Sequence, residues 1–217
     1  MNVIALDIET KNLDMGAEGL DFGNPKGWEV SCVSIYHPTA GAFNYAQWES
    51  LPAEVMEKFT VMSFQQLKED LQTWWDDGYT LITKNGNNFD LPIISKPIAD
   101  GGCGVGKIIK QYVDGDDITE RHLDLQTYLE DATFGVRFSL QTLIKSVLGA
   151  DESKLMEAKF APQAWAEGNY AEVIHYCEED ARYTYQVWRV ARDRGFLQAS
   201  GKNSEGNYEE CYVRIRW

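Results

Sequence analysis

Four acids in this chain occupy places that solubility alone does not explain, and their chemistry sets the first question. Asp7 and Glu9 lie at the end of Val3–Ile8 and just beyond it, an apolar, β-branched run that reads as a buried strand. Side chains two apart on a strand share a face. Two carboxylates on one buried face repel strongly unless a cation lies between them, and a hard divalent ion with oxygen ligands is the natural one. A frayed strand end with both acids solvated would also account for the pair, and D-x-E by itself is too common to decide. Asp90 sits in Asn85-Gly86-Asn87-Asn88-Phe89-Asp90-Leu91-Pro92, after a strand-like Tyr79–Thr83 and before a proline-started helix. An acid at a helix N-terminus is favoured by the dipole, but an Asn, three residues, an aromatic, Asp, one residue and Pro are more than a cap requires. Asp180 lies inside a long helix expected over Asn169–Arg194, opened by Asn169 with Glu172 as a capping box and closed by Gly195.

At about 100° per residue, Tyr170, Val173, Ile174, Cys177, Ala181, Thr184, Trp188 and Ala191 form the buried stripe of that helix. Tyr176 and Asp180 share the edge of the stripe as i and i+4 neighbours, and His175 points outward. Glu172, Glu178 and Glu179 read as a solvated acidic flank.

The elements that must position these groups follow from periodicity and breakers. Strands are expected at Val3–Ile8, Trp28–Tyr36 and Ala42–Trp48, the three forming an antiparallel meander, and at Tyr79–Thr83. Helices are expected at Pro52–Phe59, at Ser63–Asp76 with Ser63 as cap, at Leu123–Glu130 and at Ser139–Leu148. A short helix from about Pro92 should end at Pro97. Gly101–Gly106 reads as a flexible loop, and its approach to a phosphate-binding loop fails because Ile108 follows Lys107. Asp114–Asp117 reads as a solvated turn, and Asp124 as a helix cap or a fifth metal ligand. Trp165 and Trp217 are the tryptophans least expected to be buried. Strands first, then helices alternating with strands, predict a mixed α/β sheet.

Composition sets limits. The chain has 217 residues, 44% of them hydrophobic, and a net charge of −14. That acidity argues against a tight nonspecific grip on nucleic acid, which needs Lys and Arg; it fits an enzyme that holds a few nucleotides weakly, or one whose partner supplies the grip. Cys32, Cys103, Cys177 and Cys211 and the three histidines show no zinc spacing, so the cysteines read as reduced thiols. No apolar run is long enough to span a membrane, and MNVIALDIET enters a strand with no signal-like block. A cytoplasmic location is the expectation.

Taken together, DIET at 7–10, N-x-x-x-F-D-x-P at 85–92 and Y-C-x-x-D-A-x-x-T at 176–184 resemble, in order and spacing, the three exonuclease motifs of the tyrosine-type DEDD 3′→5′ exonucleases. These are the proofreading domains of family B DNA polymerases and their stand-alone relatives. His122–Leu125, and Phe138–Leu140 with Leu148 and Gly149, resemble the linking helices of the same proteins. The likeness covers roughly residues 1–195, giving an exonuclease domain at 1–200 and a tail at 201–217 that holds a candidate added strand.

The resemblance implies a ribonuclease H-like fold, a mixed five-stranded sheet flanked by helices. It implies two Mg²⁺ or Mn²⁺ ions held by Asp7, Glu9, Asp90 and Asp180, with Tyr176 positioning the attacking water. Thr10 and Leu13 would meet the 3′-terminal nucleotide, and Asn85 and Phe89 would line the cleft. The expected substrate is the 3′ end of single-stranded DNA, with a polymerase or another replication or repair protein as candidate partner. An exoribonuclease with the same site and a silent nucleic-acid-binding scaffold are the alternatives. Were the long helix to begin near Glu178, His175 instead of Tyr176 could enter the site as general base. Arg214, Arg216 and Trp217 stand as either nucleic-acid contacts or ordinary edge residues.

Overall fold

The strand Val3–Thr10 (β1) organises the molecule, because its alternating side chains feed two separate cores. Ile4, Leu6 and Ile8 enter one cluster; Val3 and Ala5 enter another on the opposite face. By the same alternation, Asp7 and Glu9 continue the Val3 and Ala5 face. The computed structural model describes residues 1–13, 19–21, 24–47, 51–114, 121–149 and 156–217.

β1 pairs antiparallel with β2 (Val30–His37), which pairs antiparallel with β3 (Gly41–Ala46), so the expected meander forms. On the other side β1 pairs parallel with β5 (Thr80–Thr83), and β5 pairs parallel with β6 (His122–Asp124). A two-residue edge strand, β4 (Val61–Met62), extends the expected five strands to six, in the order β4-β3-β2-β1-β5-β6. Trp48, expected to end the third strand, lies outside the described residues.

Helices cover both faces. The Ile4 face packs against α2 (Phe64–Asp76), α3 (Asp90–Ser95) and α4 (Gly106–Val113). Ser63 caps α2, accepting from the Gln66 amide at 3.2 Å. The other face carries α5 (Leu125–Ala132), α6 (Leu140–Leu143) and the 25-residue α8 (Tyr170–Arg194), with α1 (Ala53–Phe59) and α7 (Ala161–Ala166) packed beside α8's first half. The buried side of α8 contains the stripe read from the sequence except Tyr170, which is half-buried, and adds Tyr183 and Val187; Gly195 ends the helix at φ 76°, a conformation glycine adopts without a Cβ penalty.

Several expectations need correction. Asn169 precedes α8 but its side chain makes no capping hydrogen bond, so the capping box does not form. Glu178 and Glu179 are not a solvated flank: Asn44 donates to Glu178 at 2.6 Å, tying α8 to β3, and Arg182 donates to Glu179. The Gly101–Gly106 segment is pinned by hydrogen bonds from the Gly102 amide to Pro97 and from the Cys103 amide to Ile94. A Cβ on Gly102 would collide with the Lys96 carbonyl. Residues Ile144–Leu148 close the α6 segment as a π-helical turn rather than a plain helix. Trp165 is buried, 9% exposed, and meets Tyr170 edge-on, whereas Trp217 stays half-buried, packed on Tyr128 at 5.0 Å, as expected. Of the Asp114–Asp117 turn, only Asp114 is among the described residues.

The chain ends in a hairpin, β7 (Phe196–Lys202) with β8 (Tyr208–Arg214), separate from the main sheet. Leu197, Ala199 and Val213 anchor it in the core shared with Val3 and Ala5. The boundary expected at residue 200 therefore falls within β7. No helix among the described residues is long and apolar enough to cross a membrane.

Candidate active site

The expected site residues reach the same place from separate elements: Asp7 and Glu9 from β1, Asp90 from the start of α3, Tyr176 and Asp180 from α8. β1 turns Asp7 and Glu9 toward α8, and the Cys177 thiol on α8 donates to the Asp7 carbonyl at 3.4 Å and to its carboxylate at 3.7 Å. Burial pushes that thiol far above its usual range, with Cys32 and Asp7 adding to the shift, so it acts as a buried donor rather than a nucleophile. One residue earlier, Tyr176 is 1% exposed. Burial first, then the carboxylates of Asp180, Glu9 and Asp7, hold its phenol protonated well above the usual range. His175 faces the other way, about half exposed and 3.4 Å from Glu178.

Asp90 is delivered by a tight turn between β5 and α3. Asn85 sits at φ 71°, a region Asn tolerates better than most residues. A Cβ on Gly86 would strike the Thr83 side chain. Asp124 clamps the turn: its carboxylate accepts from the amides of Asn85 and Asn87 and from Gln126 at the start of α5, each at 2.8 Å. Both oxygens are thus engaged by backbone, which makes Asp124 a cap and a clamp, and it is not among the residues lining the carboxylate cavity. Asp90 itself is 5% exposed. Burial, with a lesser push from Asp124, raises its carboxyl to about 7 against the pull of its own and the Ile8 backbone amides.

These elements enclose a cavity of about 480 Å³. Asp7, Glu9, Asp90, Tyr176 and Asp180 all line it, and so do Thr10, Leu13, Asn85 and Phe89. His175 does not. Sequence reasoning missed Asn12, Trp28, Lys84 and Lys159 on the same wall. Trp28 meets Phe89 edge to face at 5.0 Å. Lys84 directly follows the β5 run, so its place beside the second motif was the available signal; burial lowers its ammonium to about 8. Lys159, on a 3₁₀ turn at Ala158–Phe160, carried no signal of its own.

The donor set suits hard cations. Glu9, Asp90 and Asp180 are 8%, 5% and 5% exposed, and carboxylates this buried are costly to keep charged without a counter-ion. Oxygen ligands without His or Cys fit Mg²⁺ or Mn²⁺. Among the described residues no three such side chains already meet at one ion-sized point.

A mixed sheet of this order, with helices on both faces, is a ribonuclease H-like fold. The solved family B DNA polymerase from the hyperthermophilic archaeon Pyrobaculum calidifontis shares it, with a TM-score of 0.59 and 16% identity over 88% of this chain. That match takes up 24% of the polymerase, so the chain corresponds to about a quarter of it. A structure described as the apo form of a nuclease aligns over 89% of this chain and 72% of its own, at 16% identity and a TM-score of 0.49. No curated protein matches the chain. Over residues 56–216 the chain belongs to the family of predicted 3′-5′ exonucleases related to the exonuclease domain of PolB. The match contains Asp90, Tyr176 and Asp180 and also the terminal hairpin; Asp7 and Glu9 precede it.

Proposed function

We propose that the protein is a metal-dependent 3′→5′ exonuclease that shortens single-stranded DNA, with two Mg²⁺ or Mn²⁺ ions held by Asp7, Glu9, Asp90 and Asp180. The observation that carries this is the meeting of four carboxylates and Tyr176, from three separate elements, in one cavity. When bound, a pair of such ions supplies a water-derived nucleophile near neutral pH and counter-charge for the departing 3′ oxygen. Tyr176, protonated and beside Asp180 in the cavity wall, positions the attacking water. Thr10 and Leu13 contact the terminal nucleotide, and Asn85, Phe89 and Trp28 form the wall against which its base rests. Lys84 and Lys159 set positive charge near the phosphates. A chain with net charge −14 holds such a substrate weakly, which favours distributive action or a polymerase-type partner that presents the strand.

The test uses 5′-labelled DNA and RNA oligonucleotides with Mn²⁺ or with EDTA. A 3′→5′ ladder on DNA that vanishes with EDTA and in Asp7→Ala supports the reading. Cleavage that survives either change overturns it. Preference for RNA reassigns the substrate, and inertness to both polymers leaves a scaffold.

A further inference from the structure

Beside the carboxylate cavity lies a second pocket of about 520 Å³ of opposite character. Lys84, Arg137 and Lys202 line it, and no carboxylate does among the described residues. In a chain of net charge −14, three cations around one hollow are not a sample of the average surface. The two hollows share Lys84 and Asn85 as a common wall.

The hairpin builds this pocket and its docking is specified. The Arg137 and Lys202 backbones exchange two hydrogen bonds of 2.8 Å. Gly201 permits the approach: a Cβ there would stand 2.6 Å from the Val136 side chain and 2.9 Å from the Arg137 carbonyl. Arg137 is further held by Glu130 through its Nε at 2.8 Å. On the rim Tyr208, paired with Lys202 across the hairpin, is 68% exposed, and the Lys202 ammonium lies 5.2 Å from its ring centre. Exposed aromatic faces beside fixed cations are the chemistry that grips a single strand, one stacking a base and the other neutralising a phosphate.

We infer that this hairpin pocket binds the single-stranded stretch of substrate immediately preceding the 3′ end held in the carboxylate cavity. The inference rests on the proposed nuclease reading in taking nucleic acid as the ligand. It places the grip on Arg137, Lys202 and Tyr208, away from the tail arginines Arg214 and Arg216.

The test is equilibrium binding of a fluorescent oligothymidylate to the full-length protein in EDTA, where nothing is cut. Lys202→Glu should weaken binding about tenfold and lower the slope of log affinity against log salt by about 1. Tyr208→Ala should weaken it roughly fivefold or more. Lys110→Glu makes the same charge change on exposed α4 and should bind as the unsubstituted protein does. Equal binding by Lys202→Glu and the unsubstituted protein, or equal losses in Lys202→Glu and Lys110→Glu, overturns the inference. Hydrolysis with Mn²⁺ by the same preparations reports separately on the nuclease reading, so the two can fail independently.

Discussion

Replacing Asp90 with Asn should stabilise the metal-free protein while removing its ability to be stabilised by metal. Asp90 is 5% exposed, and its carboxyl is raised from 3.8 to about 7, first by burial. In the unfolded chain the carboxyl loses its proton near pH 4; in the folded protein it keeps it until about pH 7. Between those limits the folded state binds more protons at this site, so the Asp90 contribution to stability in EDTA falls as pH rises from about 4 to about 7 and is level above. A shift of this size corresponds to a cost of up to ~4 kcal/mol at pH 8. The Asn amide has no charge to desolvate, and its oxygen can still accept from the Ile8 and Asp90 amides. Some of the gain is offset by its extra N–H groups, leaving about 2 kcal/mol or more. Urea unfolding in EDTA from pH 4 to 8 measures the difference directly. The variant should match the unsubstituted protein at pH 4 and exceed it at pH 8. With Mn²⁺ the order should reverse, because only the intact carboxylate set gains the binding free energy. A variant no more stable than the parent at pH 8 in EDTA would refute the burial argument.

Other outcomes follow from single contacts. Tyr176→Phe should lower kcat about tenfold to a hundredfold in steady-state hydrolysis with KM little changed, whereas His175→Ala, outside the cavity, should stay within about twofold. His122, bonded to Thr83 at 2.9 Å, is lowered by burial from 6.5 to about 4. The unfolded chain therefore takes up a proton first as pH drops, and about 3 kcal/mol of stability is lost between pH 6.5 and 4; acid unfolding curves of His122→Asn should lack that component. Gly201→Ala should cost about 1–3 kcal/mol by forcing the hairpin off Arg137, read as a lower urea midpoint.

The residues that meet in the carboxylate cavity were legible because they are chemically improbable where they stand. Acids at the end of the apolar β1 run, an Asp after Asn-Gly and an aromatic, and a Tyr four before an Asp on an amphipathic helix all needed a reason beyond solubility. The long helix and the meander were legible from periodicity. What escaped lacked local signal. β6 is three residues long, too short to show alternation, and α4 begins at a glycine read as loop. The hairpin was half hidden because β7 follows the Gly195 stop directly and its docking depends on Gly201, a residue that looks like a turn until Val136 and Arg137 are brought beside it. Asp124 had two readings in sequence, and the amides of Asn85, Asn87 and Gln126 that establish its capping role come together only in the fold. Glu178 appeared solvated because Asn44 lies far away in sequence.

The most direct measurement is a crystal structure of the protein grown with Mn²⁺, with anomalous scattering used to locate the ions. Two ions roughly 3.5–4 Å apart, ligated by Asp7, Glu9, Asp90 and Asp180 with Tyr176 alongside, are predicted. Manganese absent from that cavity, or bound only elsewhere on the acidic surface, would contradict the account.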